Sequence, residues 1–116
     1  MDLDGGASFN GNRVQIWTCN GSGAQTVTAG TDGTLRLVDL CLRGLGGAMT
    51  AGTLLEAWTC DGQPAQQWRF VDGRIVNPGT GLCVDTEGRG SSAATRLVVA
   101  VCDGGATQRW TPPPPA

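Results

Sequence analysis

The pentapeptide QIWTC at residues 15–19 decides the fold, because it returns along the chain at a nearly constant distance. It recurs 41 residues later as EAWTC at residues 56–60. It recurs again, in weaker form, as VVAVC at residues 98–102, which lies a further 42 residues along. A segment that returns at one fixed distance indicates a chain built from copies of one structural unit.

A second mark keeps the same distance and fixes the boundaries of the units. Gln25, Gln66 and Gln108 each open a tripeptide of the form Gln-x-Trp, with valine replacing tryptophan in the first copy. The copies then span about residues 1–39, 40–80 and 81–111. Short β-branched runs and 19 glycines predict four short strands in each copy, in a three-fold, all-β architecture. In the middle copy these strands are expected at Cys41–Arg43, Leu54–Thr59, Gln66–Phe70 and Arg74–Asn77.

Composition excludes several classes of function. Only 16% of the residues are charged, the net charge is −2, and all eight cations are arginine, so nucleic-acid binding is not expected. No apolar run is long enough for membrane insertion. Histidine is absent, so neither a metal site nor a cofactor is expected. The carboxylates Asp85 and Glu87 lie in a repeated β segment and in no catalytic motif, so the protein is not expected to be an enzyme.

The triple Gln-x-Trp unit, with a strand ending in cysteine before each copy of the mark, resembles the ricin-B-type lectin family, also called family 13 carbohydrate-binding modules. The resemblance covers residues 1–111 as a single domain and leaves a proline-rich tail or linker at residues 112–116. It implies a β-trefoil with pseudo-three-fold symmetry and up to three sugar sites, named α, β and γ.

The cysteines predict one bridge within each of two repeats. Cys41 and Cys60 are 19 residues apart, and so are Cys83 and Cys102, as expected for disulfides in a small extracellular domain; reduced, buried thiols are the alternative. The same spacing places the partner of Cys19 one residue before Met1. We therefore expect a free thiol at Cys19 and a trefoil truncated by about one strand, which leaves eleven strands. Self-association through an exposed strand edge or through Cys19 would follow.

A sugar site needs an aromatic ring for the apolar face of the sugar and polar groups for its hydroxyl rim. The resemblance assigns the rim to an aspartate two positions after the first cysteine of a repeat and the face to the aromatic residue two positions before the second cysteine. The residues that it implies are Asp2, Gln15, Trp17 and Gln25 for the α site, Glu56, Trp58 and Gln66 for the β site, and Asp85 and Gln108 for the γ site.

All three sites depart from the family pattern: the α site has Ala24 where the resemblance implies an asparagine, and the β and γ sites are altered more strongly. Arg43 replaces the rim carboxylate of the β site, and we expect it to pair with Glu56 and close the site. Ala100 replaces the aromatic residue of the γ site, so that site is expected to be inactive. The tryptophans of the Gln-x-Trp marks, Trp68 and Trp110, are expected to face the core.

The resemblance implies a secreted carbohydrate-binding module for galactose-type sugars or xylan, serving as an accessory targeting domain of a larger protein. Galactosides or xylo-oligosaccharides are then the expected partners. The alternative is a degenerate or engineered trefoil that has a structural or protein-interaction role and binds no sugar.

Overall fold

The chain folds into short antiparallel strands joined by tight turns. The computed structural model describes residues 1–6, 9–17, 25, 27–30 and 32–110. These ranges contain ten strands and no α-helix, which confirms the all-β class. The helical segments among them are single 3-10 turns, and none is long or apolar enough to cross a membrane. In chain order the strands are β1 (Asp2–Leu3), β2 (Asn12–Gln15), β3 (Val27–Ala29), β4 (Leu35–Leu37), β5 (Leu40–Gly44), β6 (Leu55–Trp58), β7 (Arg69–Val71), β8 (Arg74–Val76), β9 (Cys83–Thr86) and β10 (Leu97–Ala100).

The second strands of the three repeats, β2, β6 and β10, form a closed ring. The two sheets have the orders β1-β2-β6-β5-β4-β3 and β10-β9-β8-β7, and β2 pairs directly with β6. One isolated bridge joins Leu54 to Val98, and a second joins Gln15 to Arg96. The ring of strands therefore runs from the first repeat to the second, to the third and back to the first. This closure confirms the pseudo-three-fold β-trefoil.

The repeats contribute their strands in the same order. The first repeat supplies β1 to β4, the second supplies β5 to β8, and the third supplies β9 and β10. The third strand of the last repeat is expected at its Gln-x-Trp mark, where the structure has the 3-10 turn Ala106–Gln108 and no strand up to Trp110. Residues 111–116 lie outside the described residues, so the count of eleven stays a prediction. The strand expected to begin at Gln66 begins instead at Arg69, because Pro64–Gln66 forms a 3-10 turn. Proline fixes φ at the start of such a turn.

Apolar side chains from all three repeats meet in one core. Strands β5 and β9 contribute Leu42 and Val84 at equivalent positions, and both are completely buried. The buried cluster consists of Leu3, Val14, Leu35, Leu37, Leu40, Leu42, Leu55, Ala57, Trp68, Ile75, Val84, Leu97 and Val99. Burial of this apolar surface is the main favourable contribution to folding.

The tryptophans of the Gln-x-Trp marks contact this core, as the sequence predicts. Trp68 is 4% exposed, and its Nε1–H donates to the carbonyl of Leu42 at 2.9 Å. Trp110 is half-buried against the same cluster and donates to the carbonyl of Val84 at 3.1 Å. The two indoles thus make the same hydrogen bond in two repeats.

Both predicted disulfides are present. Cys41 bonds to Cys60 and Cys83 to Cys102, with Cα–Cα distances of 5.1 and 5.2 Å that lie in the usual range for disulfides. Each bridge joins the first strand of a repeat to the segment that follows its second strand. Cys19, the expected free thiol, lies outside the described residues.

Asp32 organises the turn between β3 and β4. Its Oδ1 accepts from the Thr34 hydroxyl at 2.6 Å and from the Thr34 backbone N–H at 3.2 Å, and its Oδ2 pairs with Arg36 at 3.1 Å. These contacts, the Thr34 hydroxyl foremost, lower the pKa of Asp32. Their stabilisation is therefore fully present above the carboxyl's ordinary pKa and is lost as the pH falls through the lowered value.

One turn repeats three times with left-handed backbone geometry. Gly11, Gly52 and Ala94 occupy the same repeat position, with φ values of 88°, 91° and 72°. Glycine adopts this geometry readily, whereas a residue with a Cβ is strained there by about 1–2 kcal/mol. Ala94 is therefore the strained copy.

Replacing Ala94 with glycine is expected to raise the free energy of unfolding by about 0.5–1 kcal/mol, because the relief of strain exceeds the entropy that glycine loses on folding. The matched control is Gly52→Ala, where a new Cβ would meet no atom within 4 Å and the change is confined to the backbone. It should destabilise by a similar amount in urea unfolding. A destabilised Ala94→Gly variant would contradict the assignment of strain.

Candidate functional site

The sheet registers place the implied rim residues opposite their partners in every copy. Strand pairing sets Asp2 opposite Gln15 in the first repeat and Arg43 opposite Glu56 in the second. In the third repeat Asp85 lies opposite Val98. The three candidate sites are therefore equivalent places in the fold that differ in their side chains.

The first repeat holds a carboxylate and an exposed ring. Asp2 is 6% exposed, and its Oδ2 accepts from the Gln15 side-chain amide at 3.1 Å. Trp17 follows the end of β2 and leaves 48% of its surface exposed. The hydrogen bond holds the carboxylate in one orientation, and the open indole offers an apolar face, which are the two parts that a sugar site requires.

The resemblance also implies Gln25 for this site, and Trp17 lines a small cleft. Gln25 is half-buried, and Ala24, the residue before it, lies outside the described residues. Ile16 and Trp17 line a cleft of about 220 Å³ together with Ser91 and Ala93 of the third repeat. The ring of Trp17 therefore lies at a junction between two repeats.

In the second repeat Arg43 contacts two of the three implied site residues, Glu56 and Trp58. Its Nε donates to Oε2 of Glu56 at 2.7 Å, and the Gly46 backbone N–H donates to the same oxygen at 3.0 Å. The guanidinium carbon lies 4.0 Å from the centroid of the Trp58 ring, within the range of a cation–π contact. The Arg43–Glu56 pair expected from the sequence is present, and the guanidinium also covers the ring face on which a sugar would stack.

Gln66 and Gln108 do not lie where a sugar-binding residue is expected, so their sequence-based assignment to sugar sites is corrected. Both are completely buried. Gln66 donates to the carbonyl of Thr59 at 2.9 Å and accepts from the Asp61 N–H at 2.9 Å. Because the amide groups of Gln66 bond to the backbone, they stabilise the turn after β6 and do not reach a ligand at the surface.

In the third repeat the carboxylate is turned inward. Asp85 is 2% exposed; its Oδ1 accepts from the Thr86 N–H at 2.7 Å and its Oδ2 from Gln108 at 3.1 Å. Gln108 repeats the backbone contacts of Gln66, with the Val101 carbonyl at 2.9 Å and the Asp103 N–H at 3.0 Å. Asp85 thus has a structural role, with no aromatic ring at Ala100 to accompany it.

An ion pair at the third site escaped the sequence analysis. Arg89 pairs with Asp103, and both border a cleft of about 330 Å³ that Asp85 and Ala100 also line. Arg89 has a left-handed φ of 57° at the position that Gly6 and Gly47 hold in the other repeats. The sequence signal that could have revealed this residue is the arginine itself, which stands where the other two repeats have glycine. Among the described residues, no cluster of three or more cysteine, aspartate or glutamate side chains could hold a metal ion.

Comparisons with known protein families and solved structures agree with the three-fold β-trefoil described above. A family model described as "Ricin-type beta-trefoil lectin domain" matches residues 1–110. No curated protein matches the chain significantly.

Three similar solved structures illustrate the likeness. Agglutinin from Abrus precatorius has 29% identity and a TM-score of 0.86, and the alignment covers 95% of this chain and 42% of the agglutinin chain. The designed three-fold symmetric protein ThreeFoil has 22% identity and a TM-score of 0.85, with 94% of this chain and 86% of that chain covered. A non-toxic homologue of type II RIPs from Momordica charantia, in complex with α-methyl-D-galactoside, has 23% identity and a TM-score of 0.84, with 95% and 41% covered. This chain thus spans less than half the length of the two plant proteins.

Proposed function

Because the chain belongs to the ricin-type β-trefoil lectin family, we propose that it binds a galactose-type sugar at the site formed by Asp2, Gln15 and Trp17. The observation that carries this proposal is the contrast among the repeats. Only the first repeat combines a rim carboxylate with an uncovered aromatic ring among the described residues. Xylan is the second ligand class of this proposal, because its sugars also present an apolar ring face and a hydroxyl rim.

The chemistry of the first site suits a neutral sugar. An ionised Asp2 accepts hydrogen bonds from neighbouring hydroxyls, and such charge-assisted bonds are stronger than neutral ones. The Gln15 amide, already bonded to Asp2, fixes the carboxylate before a ligand arrives. Stacking of the sugar on Trp17 would add an apolar contact.

The domain's proposed role is non-catalytic, as an accessory targeting module of a larger secreted protein. Two disulfides suit an oxidising compartment outside the cytosol. The similar plant chains are more than twice as long as the part that aligns here, which suits a module joined to other domains.

Replacing Trp17 with alanine is expected to weaken binding of methyl galactoside by at least about tenfold, roughly 1.4 kcal/mol, because the stacking surface is lost. Asp2→Asn should weaken binding by a similar factor through loss of the charged acceptor. Calorimetric titration with methyl galactoside, lactose and xylo-oligosaccharides measures the affinities and ranks the two ligand classes.

The matched control for this titration is Trp58→Ala, which removes an indole that Arg43 already covers and should leave the affinity unchanged. Equal binding by wild type and by both first-repeat variants would place the site elsewhere.

A structural role without sugar binding is the second candidate function. It is favoured by the two altered sites, where Arg43 covers Trp58 and the Asp85 carboxylate is bonded internally. Absence of binding at millimolar sugar, with circular dichroism showing an intact fold, would support this alternative over the first proposal.

A further inference from the structure

A cleft of about 480 Å³ lies beside Arg43. Arg43 and Gly46 border it from the second repeat's first strand and the turn after it, and Gln63 borders it from the turn before β7. Asn77 and Thr80 complete it from the loop that leads into β9. Glu56 and Trp58 are not among the residues that line this cleft. The cleft is therefore distinct from the covered stacking face of Trp58.

Arg43 enters this cleft in a fixed orientation. Its Nε donates a hydrogen bond to Glu56, its guanidinium carbon lies 4.0 Å from the centroid of the Trp58 ring, and its side chain is 14% exposed. An arginine carries five N–H donors, and the Nη groups make no hydrogen bond with the described residues. Arg43 is also the one charged residue among those that line the cleft. The cleft thus presents hydrogen-bond donors, whereas the rim of the first site presents an acceptor.

Hydrogen bonds of the buried Asn77 side chain hold the walls of the cleft together. Asn77 is 1% exposed, and its Nδ2 donates to the carbonyls of Pro64 at 2.8 Å and Gln67 at 2.9 Å. Its Oδ1 accepts from the backbone N–H of Thr80 at 3.0 Å and from the Thr80 hydroxyl at 2.9 Å. The Asn77 side chain therefore links the turn before β7 to the loop before β9. Because the cleft is already ordered, the entropic cost of ordering it on ligand binding is small.

We propose that this cleft is a second carbohydrate subsite, selective for a sugar that bears a carboxylate. The Nη groups of Arg43 hold the carboxylate, since a guanidinium matches a carboxylate in a two-point geometry. The volume lies in the range of small-ligand sites and admits a monosaccharide. The inference rests on the proposed carbohydrate-binding function and adds a ligand class that the first site does not favour.

Variants at Gln63 test the subsite without disturbing the fold, because this side chain is exposed at the edge of the cleft. Titrations use D-galacturonate, N-acetylneuraminate and methyl galactoside. The Gln63→Glu substitution is expected to weaken binding of the acidic sugar by about fivefold, and Gln63→Arg to strengthen it by about fivefold. Neither substitution should change the affinity for methyl galactoside.

Two further variants locate the acidic ligand. Arg43→Gln should lower its affinity by at least about tenfold, because a charge-assisted bond is lost. The double variant Arg43→Gln with Glu56→Gln gives the same readout without leaving an unpaired buried carboxylate. Trp17→Ala should weaken methyl galactoside binding by at least about tenfold and leave binding of the acidic sugar unchanged.

The choice between galacturonate and N-acetylneuraminate identifies the source of the carboxylate, and binding of either one with the expected response to the variants supports the subsite. The proposal is overturned when neither acidic sugar binds at millimolar concentration, when binding survives both Arg43 variants, or when Trp17→Ala removes it. If wild type binds no methyl galactoside, the proposed first-repeat site is wrong. The acidic-sugar titrations then still test the cleft by themselves.

Discussion

Replacing Trp68 with alanine is expected to lower the free energy of unfolding by about 3–5 kcal/mol, the usual cost of emptying a large aromatic position in a core. Trp68 is 4% exposed and contacts the buried cluster shared by all three repeats. The substitution also leaves the buried carbonyl of Leu42 without its indole donor, which adds a desolvation cost. Because a domain of this size is stable by only about 5–15 kcal/mol, much of its stability would be lost.

Urea unfolding followed by far-ultraviolet circular dichroism measures this loss without relying on the fluorescence of the residue removed. The matched control is Trp17→Ala, which deletes the same atoms from a side chain that is 48% exposed. We expect that control to change stability by less than about 1 kcal/mol. A Trp68→Ala variant no less stable than Trp17→Ala would show that the indole is not a core element.

Trp68→Val should fall between these two variants, because the first repeat itself carries Val27 at this position. Val27 is half-buried against the same cluster, so the fold already accommodates the smaller side chain in one copy. Valine leaves a smaller cavity than alanine does, and the loss of stability grows with the volume of the cavity.

Removing one disulfide is expected to cost about 3 kcal/mol, the value typical of a bridge that closes a loop of this length. The bridges Cys41–Cys60 and Cys83–Cys102 each span 19 residues. Similar losses are therefore expected for the two bridges, since the constraint on the unfolded chain is the same. Removal of both should leave a domain that is marginal at 37 °C.

Each bridge is best removed by replacing both cysteines with alanine. A single replacement leaves one thiol able to exchange with the remaining disulfide. The background should carry Cys19→Ser, since Cys19 could take part in the same exchange. Urea midpoints and slopes for the two double variants, with reduced wild type as control, give the losses. A change below about 0.5 kcal/mol for either pair would contradict a role of that bridge in stability.

The repeat register predicted most of the fold. Gln15, Glu56 and Val98 lie opposite the residues 13 positions before them, as the equal spacing in the sequence suggested. The two bridges also followed from equal spacing. Such inferences succeed because a repeated distance along the chain reflects a repeated distance in the fold.

The roles of individual side chains were harder to predict. Gln66 and Gln108 belong to the residue type that a sugar site uses, but their burial depends on the 3-10 turns in which they lie. The sequence suggested that Arg43 pairs with Glu56, but it gave no sign that the guanidinium would stack on Trp58. These outcomes depend on side-chain directions at the surface, and neither composition nor spacing encodes those directions.

The bridge between Gln15 and Arg96 closes the ring of strands with residues from the first and last repeats. Contacts between such distant parts of a chain cost loop entropy before they contribute stability, and this slows folding. During synthesis the first two repeats leave the ribosome while β10 has not yet been made. Closure of the ring therefore requires the third repeat, which supplies Arg96 and β10, whereas β2 can already pair with β1 and β6.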